Sequence, residues 1–137
     1  VHVPGGNCSF RTTVYRQLGG FDTKFAGSHS LGEETDFCLR LVARGYRLKF
    51  EPRAAIFHLQ ASTGGCRNEK FDEWLFWHAH NVTLLACRHL PRIFVFTTLL
   101  GRVVRFAIFS VEKGTPLLMA DGLCGLLAGF STYVRSR

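Results

Sequence analysis

Hydrophobic and polar positions follow different patterns in the two parts of the chain. Up to about residue 60, short apolar stretches alternate with glycine-containing turns, whereas long apolar runs dominate afterwards. Apolar residues at helical spacing predict helices at about 11–18, 33–43, 70–89, 93–111 and 117–133. Strict alternation predicts a strand at 46–50, and short apolar stretches predict further strands at 54–59 and within 1–10. We therefore expect an α/β part at 1–60 and an all-helical tail at 61–137.

The helix predicted at 33–43 has a marked division between its faces. Phe37, Cys38, Leu41 and Val42 form an apolar stripe, and Gly45 ends the helix. On a helical projection Glu34 falls on the side of Cys38 and Leu41, so it is expected to face inward. The charged residues Glu33, Asp36, Arg40 and Arg44 are expected on the other side, where the four-residue spacing favours an Asp36–Arg40 ion pair.

The charge of the chain points to an anionic partner. Lysine and arginine outnumber aspartate and glutamate by 17 to 10, which gives a net charge of +7 and a pI near 9.6. Residues 74–111 hold four arginines and no acid, yet they are also strongly apolar. Nucleic acid is disfavoured as the partner, because the arginines are interleaved with long aliphatic runs and no RRM, zinc-finger or helix-turn-helix pattern occurs.

The five cysteines are widely spaced and form no Cys-x-x-Cys pair. This arrangement argues against a structural zinc site and favours buried free thiols in a reducing compartment.

The apolar run at 93–111 predicts a helix that seeks a membrane without crossing it. Its twelve Val, Ile, Leu and Phe residues favour insertion by about 5 kcal/mol, while Arg102 and Arg105 cost about 2.5–3.5 kcal/mol each. Because the sum is near zero, we expect a peripheral helix lying in the plane of an anionic membrane, on its cytoplasmic face. The alternative is that the helices at 93–111 and 117–133 pack on the catalytic domain or on a partner chain. Small residues in the latter, among them Gly122, Gly125 and Gly129, would favour close helix packing.

Five short motifs occur in a fixed order in the first part of the chain. They are Gly-Gly-Asn-Cys-Ser-Phe-Arg at 5–11, Leu-Gly-Gly-Phe-Asp at 18–22, Gly-Glu-Glu-Thr-Asp-Phe-Cys-Leu-Arg-Leu at 32–41, Gly-Tyr-Arg-Leu at 45–48 and Glu-Pro-Arg-Ala at 51–54. Each is weak alone, but together they resemble the second, acceptor-side half of the inverting family 2 glycosyltransferases. The resemblance implies a partial GT-A (nucleotide-diphospho-sugar transferase-like) fold.

The resemblance also implies roles for individual residues. The family's general base corresponds to Glu34, the second acid of the acidic pair, which would accept the proton of an acceptor hydroxyl. The acids could instead serve only the dipole of the helix. The resemblance further implies contacts with the donor or the acceptor for Asn7, Arg11, Glu33, Asp36 and Arg40. The alternative is that these residues have purely structural roles. His58 corresponds to a histidine near the metal-bound diphosphate, although a lone histidine is more often structural.

The first half of such an enzyme, with its Asp-x-Asp metal motif, has no counterpart in this sequence. We therefore expect a fragment that is inactive alone, with the divalent cation (Mn²⁺ or Mg²⁺) held mostly by the other half. The substrates implied are a nucleotide sugar and a saccharide or lipid-linked acceptor. The alternative is a non-catalytic remnant of a glycosyltransferase that binds a membrane or a partner.

Overall fold

The computed structural model describes residues 5–25, 27, 31–57 and 70–137. A short 3-10 helix at Gly5–Asn7 precedes five α-helices. They are α1 (Thr12–Gln17), α2 (Glu33–Ala43), α3 (Phe71–His89), α4 (Arg92–Glu112) and α5 (Leu117–Arg135). The chain divides into two compact units, one formed by 1–23 and 32–65 and the other by 24–31 and 66–137. The predicted boundary near residue 61 lies outside the described residues.

The predicted α/β class is wrong: the described residues contain helices and no strand or sheet. Residues 46–50 and 54–57 have no regular secondary structure, and 5–7 form the 3-10 helix. A strand is stable only when its backbone groups pair with a neighbouring strand. No such neighbour occurs among the described residues, and the apolar side chains of Phe50 and Phe57 are 85% and 97% exposed. The partial GT-A fold that the resemblance implies is an α/β fold, so this expectation is also wrong for the described residues.

Unit 1 (the described residues 5–23 and 32–57) is built around an aromatic cluster. Phe37 of α2 lies 4.9 Å from Phe10, 5.3 Å from Tyr15 and 5.4 Å from Phe21, measured between ring centroids. Two of these three contacts are edge-to-face, a geometry that adds to the burial of the rings. The cluster fixes α2 against α1 and the turn that follows it.

The helix ends in unit 1 depend on glycine. Gly32 precedes α2 with a φ of 102°, a backbone conformation that other residues adopt only with strain. Gly19 and Gly20, with φ of 78° and 68°, make the turn after α1. Arg11 is the residue before α1, and its side chain does not cap the helix.

Unit 2 (the described residues 24, 25, 27, 31 and 70–137) is a three-helix assembly of α3, α4 and α5. Its core consists of Leu75, Ala79, Phe106, Leu118 and Leu126. Two glycines of α5 lie against the backbone of α3: a Cβ at Gly125 would meet the carbonyl oxygen of Phe76, and one at Gly129 would meet that of His80. The small residues of α5 therefore allow close packing, as predicted, and the helix they approach most closely is α3.

The outer side of α4 is apolar and exposed. Phe106 is the only buried residue of α4. Six exposed apolar side chains recur every three or four residues and form one stripe along the helix, here called the α4 stripe: Ile93, Phe96, Leu100, Val104, Ile108 and Val111. Both α4 and α5 are long and apolar enough to cross a membrane, by length and composition alone.

Candidate active site

The acidic start of α2 is the part of unit 1 in which the predicted site residues come together. Glu33, Glu34 and Asp36 all lie in its first turn, where negative charge interacts favourably with the positive end of the helix dipole. Their environments differ, however. Glu33 and Glu34 are half-buried, whereas Asp36 is fully buried.

Asp36 and Arg40 form the ion pair that their spacing predicts, with 2.8 Å between Arg40 Nε and Asp36 Oδ2. The two terminal nitrogens of Arg40 donate to the carbonyl oxygens of Leu18, at 2.7 Å, and Gly20, at 2.8 Å. The guanidinium also lies 5.2 Å from the ring centroid of Phe37. The fork geometry of arginine thus ties α2 to the turn after α1. The expectation that Asp36 lies on the face opposite the apolar stripe is wrong, since the carboxylate is drawn inward by this arginine.

Glu34 acts electrostatically on two thiols of unit 1, those of Cys8 and Cys38. Burial raises the pKa of Cys8, and the Glu34 carboxylate adds to the effect. The pKa of Cys38 is raised by burial, then by Cys8 and by Glu34. The Glu34 carboxylate therefore interacts electrostatically with both thiols. It lies on the side of α2 that carries the buried Cys38, four residues further on.

The Glu34 side chain has no hydrogen bond or ion pair within the part of the chain that the structure describes. Asp36 is held by Arg40, so the two carboxylates are chemically different although they lie on the same turn. An unpaired, half-buried carboxylate on a fixed helix can accept a proton from a bound hydroxyl group.

Asn7 and Arg11 are placed on the segment that carries Cys8. The Asn7 side-chain amide donates to the carbonyl oxygen of Ala54 at 2.6 Å, which joins the 3-10 helix to the extended segment. Arg11 is exposed, and its carbonyl oxygen accepts a hydrogen bond from the Tyr15 amide at 2.9 Å. Asn7 therefore directly precedes Cys8, on which Glu34 acts electrostatically, whereas no contact joins the Arg11 side chain to Glu34 in the described residues.

The predicted metal ligand His58 lies outside the described residues. Among those that are described, no group of three or more His, Cys, Asp or Glu side chains could hold a metal ion. The described part of the site thus offers carboxylate and thiol groups near Glu34 but no complete set of ligands for the implied divalent cation.

The sequence reasoning missed the two thiols whose pKa values Glu34 helps to raise. The four-residue spacing of Glu34 and Cys38 could have revealed the second thiol, because side chains at this spacing meet on a helix. Cys8 lies 26 positions before Glu34, so no local pattern places it there.

Comparison with known proteins identifies the family. Residues 1–131 match the family described as "Glycosyl transferase family group 2". Over 116 residues, which are 82% of this chain, it is 40% identical to the "Pre-mycofactocin glycosyltransferase" of Mycobacterium tuberculosis, in both strains H37Rv and CDC 1551. It is also 31% identical to the "Probable glycosyltransferase YdaM" of Bacillus subtilis over 61 residues, 44% of this chain and 13% of that protein. No solved structure matches significantly.

The chain spans about a fifth of the length of the mycobacterial relatives, 22%. The family match covers nearly all of the chain and includes every motif on which the resemblance rests. The predicted resemblance is therefore confirmed, and the chain belongs to glycosyl transferase family group 2.

Proposed function

We propose that the native gene product containing this chain transfers a sugar from a nucleotide-sugar donor to a hydroxyl group of a saccharide or lipid-linked acceptor. Glu34 is the general base of this transfer. The proposal rests on the environment of Glu34, which lies inside the segment that matches the family. Glu34 is in the first turn of a firmly held helix. Among the described residues, no cation or hydrogen-bond donor contacts its carboxylate.

The proposed chemistry is a single displacement with inversion. The carboxylate of Glu34 accepts the proton of the acceptor hydroxyl while the oxygen forms a bond to the anomeric carbon. The bond from that carbon to the nucleoside diphosphate breaks in the same step, and the diphosphate leaves with the electron pair. Holding the hydroxyl between the base and the anomeric carbon supplies part of the rate, since it removes the entropy cost of bringing the groups together.

The Asp36–Arg40 pair supports this role by holding α2 in position. Arg40 connects the first turn of α2 to the carbonyls of Leu18 and Gly20. The backbone at Glu34, two positions before Asp36, is therefore fixed with respect to the turn after α1. We propose Asp36 and Arg40 as positioning residues, with Asn7, Arg11 and Glu33 as candidates for donor or acceptor contact.

A divalent cation is part of the proposal only as an expectation from the family. The described residues do not supply a complete ligand set, and no step above is assigned to the metal. His58 remains the candidate ligand of this chain.

We further propose a peripheral location on the cytoplasmic face of an anionic membrane. The α4 stripe supports it, because an exposed apolar stripe on a helix that also carries Arg92 and Arg105 matches the acyl chains and phosphates of such a surface. If the protein is instead a non-catalytic remnant, the α4 stripe would bind the membrane in the same way and Glu34 would have no catalytic role.

The test compares Glu34→Gln with Glu73→Gln in the native gene product. Both replacements remove one carboxylate from the first turn of a helix, but Glu73 lies on α3, exposed to solvent. We expect Glu34→Gln to lower kcat by about 10²–10⁴-fold with donor affinity retained, and Glu73→Gln to leave kcat within about twofold. The anomeric configuration of the product, measured by NMR, reports inversion. Equal activity of parent and Glu34→Gln would refute the assignment, and an inactive parent would favour the remnant.

A further inference from the structure

A cavity of about 260 Å³ lies between α3 and α4. Its polar groups are His78 of α3 and the arginines Arg102 and Arg105 of α4, and its apolar lining includes Trp74, Phe106 and Phe109. The cavity therefore combines cationic groups with aromatic surface. None of the described residues that line it is acidic.

His78 takes part in the cavity as a neutral ring. Its Nε2 lies 3.1 Å from Nη1 of Arg102, and since arginine can only donate, Nε2 accepts and the ring proton resides on Nδ1. Nδ1 is buried and has no hydrogen-bond partner among the described residues. The ring stacks on Trp74, with 4.8 Å between centroids and 12° between planes. A rigidly held, neutral imidazole is thus part of the cavity wall.

The two arginines carry positive charge that no described acid balances. Neither Arg102 nor Arg105 forms an ion pair with an acidic residue in the described part of the chain. Arg105 lies over the ring of Phe109, 5.0 Å from its centroid, which holds the guanidinium beside the cavity. Arg102 and Arg105 are three residues apart and therefore neighbours on α4, so their mutual repulsion falls when an anion lies between them.

We infer that this cavity binds the phosphate group of a membrane amphiphile, with Arg102 and Arg105 as the charged donors and Trp74, Phe106 and Phe109 against the adjoining apolar part. Guanidinium groups suit phosphate because they offer parallel N–H donors to two oxygens. The amphiphile is favoured over free phosphate because aromatic side chains line the cavity beside the arginines, and free phosphate has no apolar part to contact them.

The inferred site does not depend on Glu34 and would be present in a catalytically inactive protein. The inferred site also differs from a general attraction to a charged surface, because such an attraction would depend equally on every exposed arginine. A built site depends on Arg102 and Arg105 in particular. Arg92 provides the contrast, since it lies exposed at the first position of the same helix and does not line the cavity.

The experiment is an NMR titration of the 137-residue chain in zwitterionic detergent, observing the ring protons of His78. The probes are dihexanoyl phosphatidic acid, dihexanoyl phosphatidylcholine and inorganic phosphate. We expect phosphatidic acid to shift the His78 signals in a saturable manner and at least tenfold more tightly than inorganic phosphate. The zwitterionic lipid should bind more weakly than phosphatidic acid.

The variants Arg102→Gln and Arg105→Gln should each weaken phosphatidic acid binding by tenfold or more, whereas Arg92→Gln should change it by less than twofold. Equal affinity for inorganic phosphate and phosphatidic acid would retain the anion site but overturn the lipid as its ligand. Unchanged His78 signals with all probes, or equal weakening by Arg92→Gln, would overturn the site itself. Unchanged circular dichroism of each variant shows that the fold is intact.

Discussion

Arg40 holds the carboxylate of Asp36 at 2.8 Å, and that carboxylate is fully shielded from solvent while the arginine side chain is 28% exposed. The pair is therefore asymmetric. Removal of the arginine takes the ion pair away from a carboxylate that is fully buried, which is the costly way to break such a pair.

We expect Arg40→Met to destabilise α2 by about 2–3 kcal/mol, less than the full cost for a buried pair because Arg40 is partly solvated. Hydrogen exchange of the α2 amides is the suitable measurement, since two compact units need not unfold in one transition. The exchange rates should rise about 30- to 150-fold. The control is Arg44→Met at the exposed end of α2, for which we expect less than 0.5 kcal/mol. Equal effects of the two variants would mean that the ion pair contributes nothing.

The glycines of α5 give a second prediction, on the stability of unit 2. A Cβ at Gly125 would lie 2.8 Å from that of Ala79, and one at Gly129 would lie 2.9 Å from that of Thr83. Gly125→Ala and Gly129→Ala should therefore push α5 away from α3 and destabilise the unit by about 1–3 kcal/mol each. Urea unfolding followed through the fluorescence of Trp74 and Trp77, both on α3, measures this loss.

Gly101 is the matched control for those glycines. It lies in the interior of α4, and a Cβ there would meet nothing within 4 Å. Gly101→Ala should stabilise the unit by about 0.5–1 kcal/mol, because alanine is the better helix former. Stabilisation by all three alanines would show that α3 and α5 are not in close contact.

What the sequence predicts well in this chain is local. The bounds expected for α2, 33–43, agree with the observed helix Glu33–Ala43, because its acidic start and the glycines on either side are local signals. The Asp36–Arg40 pair follows from spacing within one helix. The family resemblance rests on motifs read in order along the chain, and it is confirmed over nearly the whole length.

What the sequence does not predict depends on partners distant in the chain. Alternation at 46–50 indicates only which side chains of a strand would share a face. It does not show whether a neighbouring strand is present to pair with it. His78 and Arg102 are 24 positions apart and on different helices, so no periodicity brings them together. Val42 is exposed and Asp36 is buried, the reverse of what the helical projection predicts. The reason again involves residues outside the helix, because Arg40 reaches from α2 to the carbonyls of Leu18 and Gly20.

His78 provides a prediction on pH. Burial, and then the charges of Arg102 and Arg105, lower its pKa from 6.5 to about 4. The unfolded chain therefore binds a proton at this position between about pH 6.5 and 4 while the folded chain does not. It follows that the contribution of neutral His78 to stability is fully present above about pH 6.5 and declines as the pH falls towards 4.

NMR titration of the His78 ring protons measures this pKa directly. Because Arg102 is one of its causes, Arg102→Gln should raise the pKa of His78 towards 6.5, whereas Arg92→Gln should leave it unchanged. A pKa of 6 or above in the parent protein would contradict both the burial of the ring and its hydrogen bond from Arg102.

The α4 stripe supplies the final prediction, on membrane binding. Transfer of three of its side chains from water to an apolar medium contributes about 1.5–3 kcal/mol each. Replacement of Ile93, Phe96 and Leu100 with serine should therefore lower co-sedimentation with anionic liposomes at least tenfold. The matched control replaces three exposed apolar residues of unit 1 with serine, namely Phe50, Ile56 and Phe57. It should leave binding within about twofold, because these residues are not arranged along a helix.

The charge dependence distinguishes a helix that lies in the membrane plane from one that crosses the bilayer. Each arginine near an anionic surface contributes about 1 kcal/mol, so Arg92→Gln with Arg105→Gln should weaken binding roughly 30-fold on anionic liposomes and little on neutral ones. Raising the salt to 1 M shortens the screening length to about 3 Å and should mimic this loss, while the α4 stripe retains the remainder. A spanning helix would resist salt and carbonate washes and would be retained more firmly once the arginines were gone. Release of the parent protein by carbonate therefore supports the in-plane helix. Retention of both the parent and the double arginine variant after the wash would show that α4 crosses the membrane.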